Sequence, residues 1–386
     1  MLQKLIMKRY HIFSFLIAGG LFFIAGCRPA LEPVKRTLSP GERVYFVPNS
    51  QKMIALTFDD GPNGKATEQI LDALNARNVQ ATFFLIGANA ARHPDIVKRM
   101  VAEGHLIGNH TQRHSRFDQI TTAEMEKDIV DGCGTIATMT GVRPTWLRPP
   151  YGINGVGLKE VCRKQGFVVA GWSLDANDWN PHPVEDLVDA IVSQAVSGDI
   201  ILLHDGWETR PDADRRATVA AVPIIVDKLQ KAGFVFVTLP ELQRNAGQPL
   251  AVFENGVRLL GLQIPAKPVY AGDRFYARYF WDVPEGLGTN MPKAFVHFLP
   301  PGGKILFQDD HFLSPPGDVR DLVGHHIIRV PKKALEGQYE IHLGLFYSDK
   351  PEWKNRLKAR SNLPQRKRAL YLPARLEIAP EKQESN

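Results

Sequence analysis

Cysteine is scarce in this chain. Cys27, Cys133 and Cys162 are the whole stock in 386 residues, which excludes a small scaffold stapled by disulfides. Cys133 and Cys162 fall on the apolar faces of predicted helices, beside Ile129 and Ile136 and beside Leu158 and Val161, so buried free thiols fit them better than a disulfide. Long hydrophobic runs are also missing. The apolar stretch Ile12 to Gly26 falls short of the roughly 20 residues that a bilayer-spanning helix needs. Nor does charge of one sign accumulate. The formal net charge is +6, and Lys4, Lys8 and Arg9 supply part of it, so the body of the chain is only mildly basic. No concentrated basic stripe is present, which argues against nucleic-acid binding.

What is present divides the chain. Residues 1–26 have the positive start and short apolar core of a signal peptide. They lead into Ile24-Ala25-Gly26-Cys27, which resembles the lipobox of bacterial lipoproteins and implies a lipidated Cys27. The expected location is the bacterial cell envelope, outside the cytoplasm and anchored to a membrane; plain secretion and an uncleaved anchor are the alternatives. Residues 27–50, with Pro29, Pro33, Pro40 and Pro48, read as the lipidated cysteine and a tether. Residues 51–242 alternate strand and helix signals, and residues 250–380 carry dense aromatics in short alternating runs. The boundary is placed in Gln243 to Gln248, a polar stretch with one glycine.

In the first domain, seven β-prone runs are predicted as strands: Met53 to Phe58, Ala81 to Ile86, His105 to Gly108, Thr145 to Arg148, Phe167 to Ser173, Asp199 to Leu203 and Phe234 to Thr238. Between them, helical spacing is clearest over Thr67 to Arg77, with Thr67 as cap, and over residues 94–103, 122–139 and 156–165. The fold class is α/β: a distorted (β/α) barrel of seven or eight strands, followed by an all-β, sandwich-like domain. An open doubly wound sheet gives the same alternation.

Five polar segments follow the apolar runs: TFDDGP (57–62), NHTQRH (109–114), RPPYG (148–152), SLDANDW (173–179) and ILLHDG (201–206). In a parallel barrel they share one end, where such folds build active sites. Asp59 and Asp60 are adjacent, so their carboxylates diverge unless Gly61 and Pro62 bend the chain. His110 and His114 lie four apart, a spacing from which a helical turn or a tight loop aims both imidazoles at one ion. Two histidines and one carboxylate leave positions open for water and substrate, as catalytic metal sites do. His105 and His182 point to packing or exposure instead. Asp205 reads as a supporting residue, Asp175 as a loop or sugar contact, and Trp172 and Trp207 as packing.

Together these segments resemble the five motifs of the polysaccharide deacetylases, the NodB-homology family or carbohydrate esterase family 4, over residues 50–242. The resemblance implies that Asp60, His110 and His114 hold one divalent metal ion, zinc first, with cobalt, nickel or manganese as alternatives. It implies that Asp59 is the general base, paired with Arg148, and that the Tyr151 main-chain N–H stabilises the oxyanion. His204 would be the general acid, oriented by Asp178, while Trp179, Leu202 and Pro150 would bound the acetyl pocket. The function implied is N-deacetylation of an N-acetylglucosamine-containing polysaccharide: peptidoglycan, a chitin-like chain or an exopolysaccharide. An O-acetyl esterase and an inert carbohydrate-binding lipoprotein are the alternatives. The expected partners are an acetylated glycan and a membrane.

In residues 250–380, Tyr339, Ile341, Leu343, Leu345 and Tyr347 share one face of a predicted strand. Phe275, Ala277, Tyr279 and Trp281 share a face of a second strand, and Phe295, His297 and Leu299 of a third. An antiparallel β-sandwich is expected, with no metal or nucleophile constellation, serving as spacer or sugar-binding module. The basic stretch Lys354 to Arg368 reads as a solvated loop.

Overall fold

A computed structural model of the chain describes residues 37–379 apart from 266, 288–289, 301–302, 314–322 and 348–355. The signal peptide and Cys27 lie outside these residues, as do Lys354 and Asn355. Nine strands build the first sheet: β1 (Arg43–Val44), β2 (Met53–Asp59), β3 (Thr82–Leu85), β4 (Leu106–Asn109), β5 (Trp146–Leu147), β6 (Val168–Ala170), β7 (Leu174–Asp175), β8 (Ile200–His204) and β9 (Val235–Phe236). All their pairings are parallel, in the order β1-β6-β5-β4-β3-β2-β8-β7 with β9 against β2. The sheet curls into a distorted (β/α) barrel. Its side chains explain why it is buried on both faces. Along β2, Ile54, Leu56 and Phe58 join Leu74 and Ile225 in one core cluster, while Ala55 joins Ile200 and Val237 in another.

Two of the nine strands were not expected, and one overturns the tether. Tyr45 and Phe46 are buried, β1 pairs with β6, and the Val47 N–H donates to the Gly198 carbonyl at 3.0 Å. The prolines conceal a short strand and an apolar plug that brings this end of the sheet against the segment before β8. The helix after β2 runs Gly64–Asn75 with Asn63 at its N-cap, so Thr67 is not its cap. The Thr67 hydroxyl faces inward and donates to Asp205 Oδ2 at 2.7 Å. The helix Thr122–Thr140 has the capping box that its sequence predicts, with Thr121 and Glu124 bonded reciprocally. Cys133 and Cys162 are free and buried. No described helix is long and apolar enough to cross a membrane.

Beyond Ala251 the chain forms a five-stranded and a seven-stranded sheet. Phe275, Ala277, Tyr279 and Trp281 meet Tyr339, Ile341, Leu343 and Leu345 in one core. The expected face of the strand Lys293–Leu299 is corrected: Ala294, Val296 and Phe298 point into this core. Phe295 packs with Phe346 and Ala369 in a separate cluster. Both faces of that strand are covered, so alternation could not identify the inner one. The basic stretch is not simply a loop either, since Ala359–Arg360 and Gln365–Arg366 pair as short strands.

A buried ion pair joins the β-rich part to the barrel. Arg278 and Asp199 are both fully buried and 3.2 Å apart. Arg278 also donates to the Ser173 carbonyl at 2.8 Å. Beside it, the Phe46 and Phe280 rings stack at 3.9 Å.

Candidate active site

All five polar segments lie at the carboxyl ends of parallel strands, as the barrel topology requires. Asp59 ends β2, and Asp60 follows with φ of 73°. The bend that turns both carboxylates toward the His110 imidazole is therefore made at Asp60 itself, in the left-handed region that aspartate tolerates better than most residues. The turn is tight. A Cβ on Gly61 would stand 2.0 Å from Asp205 Oδ2, and one on Gly206 would stand 2.3 Å from the Asp60 carbonyl oxygen. Both glycines are thus required by close approach rather than by φ.

His110 and His114 lie in the loop after β4, and Thr111 and His114 also have positive φ. That loop, not a helical turn, brings both Nε2 atoms to Asp60 Oδ1, at 3.4 Å and 3.2 Å. Ligand atoms of Asp60, His110 and His114 all lie within 4.8 Å of one another, and all three residues are buried. Asp60 Oδ1 has no hydrogen-bond donor. His110 Nδ1 lies 2.7 Å from the Arg148 carbonyl. A carbonyl can only accept, so Nδ1 carries the hydrogen and Nε2 presents its lone pair to the cluster. Two imidazoles and a carboxylate converging on one point, with Asp60 Oδ1 otherwise without a donor, fit a cation, and the site can hold a metal ion.

The charges agree with this. Burial opposes an ionised Asp60, but the His114 and His110 imidazoles outweigh it and hold its pKa well below the usual carboxylate range. Burial likewise opposes a charged His110, yet the Asp59 and Asp60 carboxylates raise its pKa. The attraction that would hold a proton there can hold a metal in its place.

Asp59 is divided between two neighbours. Its Oδ1 accepts from Arg148 Nη1 at 2.7 Å, and its Oδ2 is 3.7 Å from His110 Nε2. Arg148 is fully buried and also donates to Thr57 Oγ1 and the Gly171 carbonyl, each at 2.8 Å. On β8, His204 is the register partner of Asp59. Its Nδ1 lies 2.7 Å from Asp178 Oδ1, and its main-chain N–H donates to Asp178 Oδ2 at 2.9 Å. Burial would lower the His204 pKa, but Asp178 overcomes this and lifts it to about 9.

The pocket residues are placed as follows. Leu202 is buried two residues before His204, on the same face of β8; Pro150 is buried; Trp179 is 45% exposed. Tyr151 has φ of 59°, its hydroxyl donates to Glu208 Oε1 at 2.9 Å, and its ring lies 4.5 Å from His114. His105 is a packed histidine whose Nδ1 accepts the Ala81 N–H. Asp205 is buried, and burial pushes its pKa up to about 7.

Several supporting residues escaped the sequence reading. Thr218 donates to Asp178 Oδ2 at 2.7 Å. Arg215 donates to the Asp178 and Gly206 carbonyls, both at 2.8 Å. Asn89 donates to the Asp60 carbonyl at 2.6 Å. None of these sits at a strand end, so no apolar run followed by polar residues marks them in the sequence. Trp207 packs beside Arg210 and Arg215.

Comparison with known proteins agrees with this arrangement. The sequence model of the polysaccharide deacetylase family matches residues 47–170. A peptidoglycan-N-acetylglucosamine deacetylase of Bacillus cereus is 40% identical over 219 residues, covering 56% of this chain and 97% of that protein. A chitooligosaccharide deacetylase of Bradyrhizobium sp. is 35% identical over 207 residues, covering 52% of this chain and 94% of that protein. Among solved structures, a peptidoglycan N-acetylglucosamine deacetylase bound to 4-naphthalen-1-yl-N-oxidanyl-benzamide superposes with a TM-score of 0.50 at 34% identity, over 54% of this chain and 95% of that one. With a relative matched over nearly its whole length and all five motifs gathered at one end of the barrel, the chain belongs to the polysaccharide deacetylase family, carbohydrate esterase family 4.

Proposed function

We propose that this polysaccharide deacetylase is a metal-dependent enzyme that removes N-acetyl groups from an N-acetylglucosamine-containing glycan of the bacterial cell envelope, peptidoglycan first. The relatives named for peptidoglycan and for chitooligosaccharide support the amino-sugar substrate. One observation carries the reading. Asp59 and His204 stand side by side on neighbouring strands, each with its own partner, Arg148 for the carboxylate and Asp178 for the imidazole. A base and an acid facing one pocket are what amide hydrolysis needs, because the basic leaving nitrogen must be protonated as water attacks.

Asp60, His110 and His114 would hold the ion, with zinc the leading choice for two imidazoles and a carboxylate. When bound, such an ion supplies Lewis-acid chemistry, polarising the acetyl carbonyl and acidifying water. Asp59 takes the proton of the attacking water on Oδ2, since Arg148 occupies Oδ1. The Tyr151 main-chain N–H donates to the developing oxyanion. His204 enters protonated and passes its proton to the departing nitrogen. Leu202, Trp179 and Pro150 wall the acetyl methyl. Acetate release from N-acetylated glycans compared with O-acetylated xylan tests the substrate class. Faster release from the N-acetylated panel supports the proposal, and release from the esters alone makes the chain an O-acetyl esterase. Release from neither would favour a carbohydrate-binding lipoprotein.

The lipid anchor is part of the proposal and rests on the Ile24-Ala25-Gly26-Cys27 sequence. A Cys27→Ser variant should leave the membrane fraction and lose incorporation of labelled fatty acid. Unchanged fractionation and labelling would remove the anchor.

A further inference from the structure

The β-rich part holds a second cluster with the chemistry of a metal site, where the sequence reading expected none. Among the described residues, Asp309, His311 and His326 place one ligand atom each within 4.8 Å of one another. Asp309 follows the short strand Phe307–Gln308, and His311 opens the strand His311–Phe312; both strands pair with Lys293–Leu299 in the seven-stranded sheet. His326 comes from Val323–Arg329 in the five-stranded sheet, opposite Ala277. The three residues therefore meet only because the two sheets stack.

Asp309 Oδ2 lies 3.0 Å from His326 Nδ1 and 3.5 Å from His311 Nδ1. The two imidazole centroids are 4.0 Å apart. His326 Nδ1 is hydrogen-bonded to Asp309 Oδ1 and His311 Nδ1 to the Asp309 carbonyl, each at 3.1 Å, which leaves Asp309 Oδ2 and His311 Nε2 as buried polar atoms without a hydrogen-bond partner; such atoms call for an explanation in a folded protein. Tyr279 walls the cluster, its ring 5.0 Å from His311 and 5.2 Å from His326. All three side chains keep some exposure, 17% for Asp309, 12% for His311 and 21% for His326, so an ion can reach them from solvent.

We propose that Asp309, His311 and His326 form a binding site for a divalent transition-metal ion that clasps the two sheets of the β-sandwich. Two imidazoles and one carboxylate, with no thiolate, select zinc, copper, nickel or cobalt over magnesium and calcium. Because the ligands are separated in sequence and belong to opposite sheets, the ion binds the folded sandwich and not the unfolded chain, so it stabilises the fold.

The test uses the full chain in three forms: wild type, His110→Ala/His114→Ala, and that variant with His326→Gln added. After equilibration with zinc and removal of free ion, metal content should fall from about two equivalents to about one and then to about none. Zinc should raise the unfolding midpoint of the His110→Ala/His114→Ala protein by several degrees, and His326→Gln should abolish that rise. Cobalt offers an independent readout on the His110→Ala/His114→Ala protein, through visible absorption that needs no sandwich mutation. A His110→Ala/His114→Ala protein that binds neither ion, with an unmoved midpoint, would overturn the proposal and leave the triad as a hydrogen-bonded network.

Discussion

At the scale of single residues, the site separates tasks by giving each titratable group its own partner. Asp60 faces two imidazoles, Asp59 faces Arg148, and His204 faces Asp178. Asp59→Asn should lower kcat by about 10²–10⁴-fold while leaving the metal in place. His110→Ala should lose both, because it removes one of three ligands. Metal analysis of the two purified variants decides this, and an Asp59 variant stripped of metal beside a loaded His110 variant would reverse the assignment. As the proposed general acid, His204 sets the expected pH dependence. Its pKa is raised to about 9, so the imidazole stays protonated through neutral pH and the acid is lost only as pH rises through that value. Asp178→Asn removes the negative partner and should move the alkaline limb of the rate profile to lower pH. The loss should be large on an acetamide and small on an activated ester, whose leaving group needs no proton. Equal losses on both would show that His204 is not the acid.

At the level of elements, strand ends place the site and the loops that follow them carry Asp60, His110, His114 and Asp178. The reciprocal contacts of Gly61 with Asp205 and of Gly206 with Asp60 lock the loops after β2 and β8 together. Gly61→Ala should force these loops apart, costing about 1–3 kcal/mol in stability by overpacking and reducing metal retention. Denaturant unfolding and metal content measure the two effects, and a variant that keeps both would show the loops to be slack. The strand ends were also what the sequence showed best. TFDDGP, NHTQRH, RPPYG, SLDANDW and ILLHDG each follow an apolar run, so their convergence could be anticipated from the parallel alternation. Local pattern could not reveal contacts made across long separations. Thr218 and Arg215 reach Asp178 from a later loop and helix. Tyr45 and Phe46 are hidden in a proline-rich stretch. Asp309 and His326 are brought together only by stacked sheets.

At the scale of the whole molecule, the barrel and the β-rich part share a buried seam. Arg278 and Asp199 pair there without solvent, and Asp199 also accepts from the Ser173 hydroxyl at 2.7 Å and the Val196 N–H at 2.7 Å. Removing one charge strands the other. Arg278→Ala should therefore destabilise the protein by about 3–5 kcal/mol, and calorimetry should show the midpoint lowered. An unchanged midpoint would mean that the seam contributes little to the fold. The same segments link this seam to the chemistry, since Asp199 lies just before β8, which carries His204, and Ser173 just before β7, which leads to Asp178. A metal-dependent deacetylase site at this strand-end cluster is what we propose for the protein. Its most direct test is acetate release from N-acetylated peptidoglycan by the intact protein, before chelation, after chelation and after zinc is returned. Release that chelation abolishes and zinc restores is expected, with one free amine formed per acetate. Release of acetate from this glycan that persists undiminished in the fully metal-free protein would contradict the proposal.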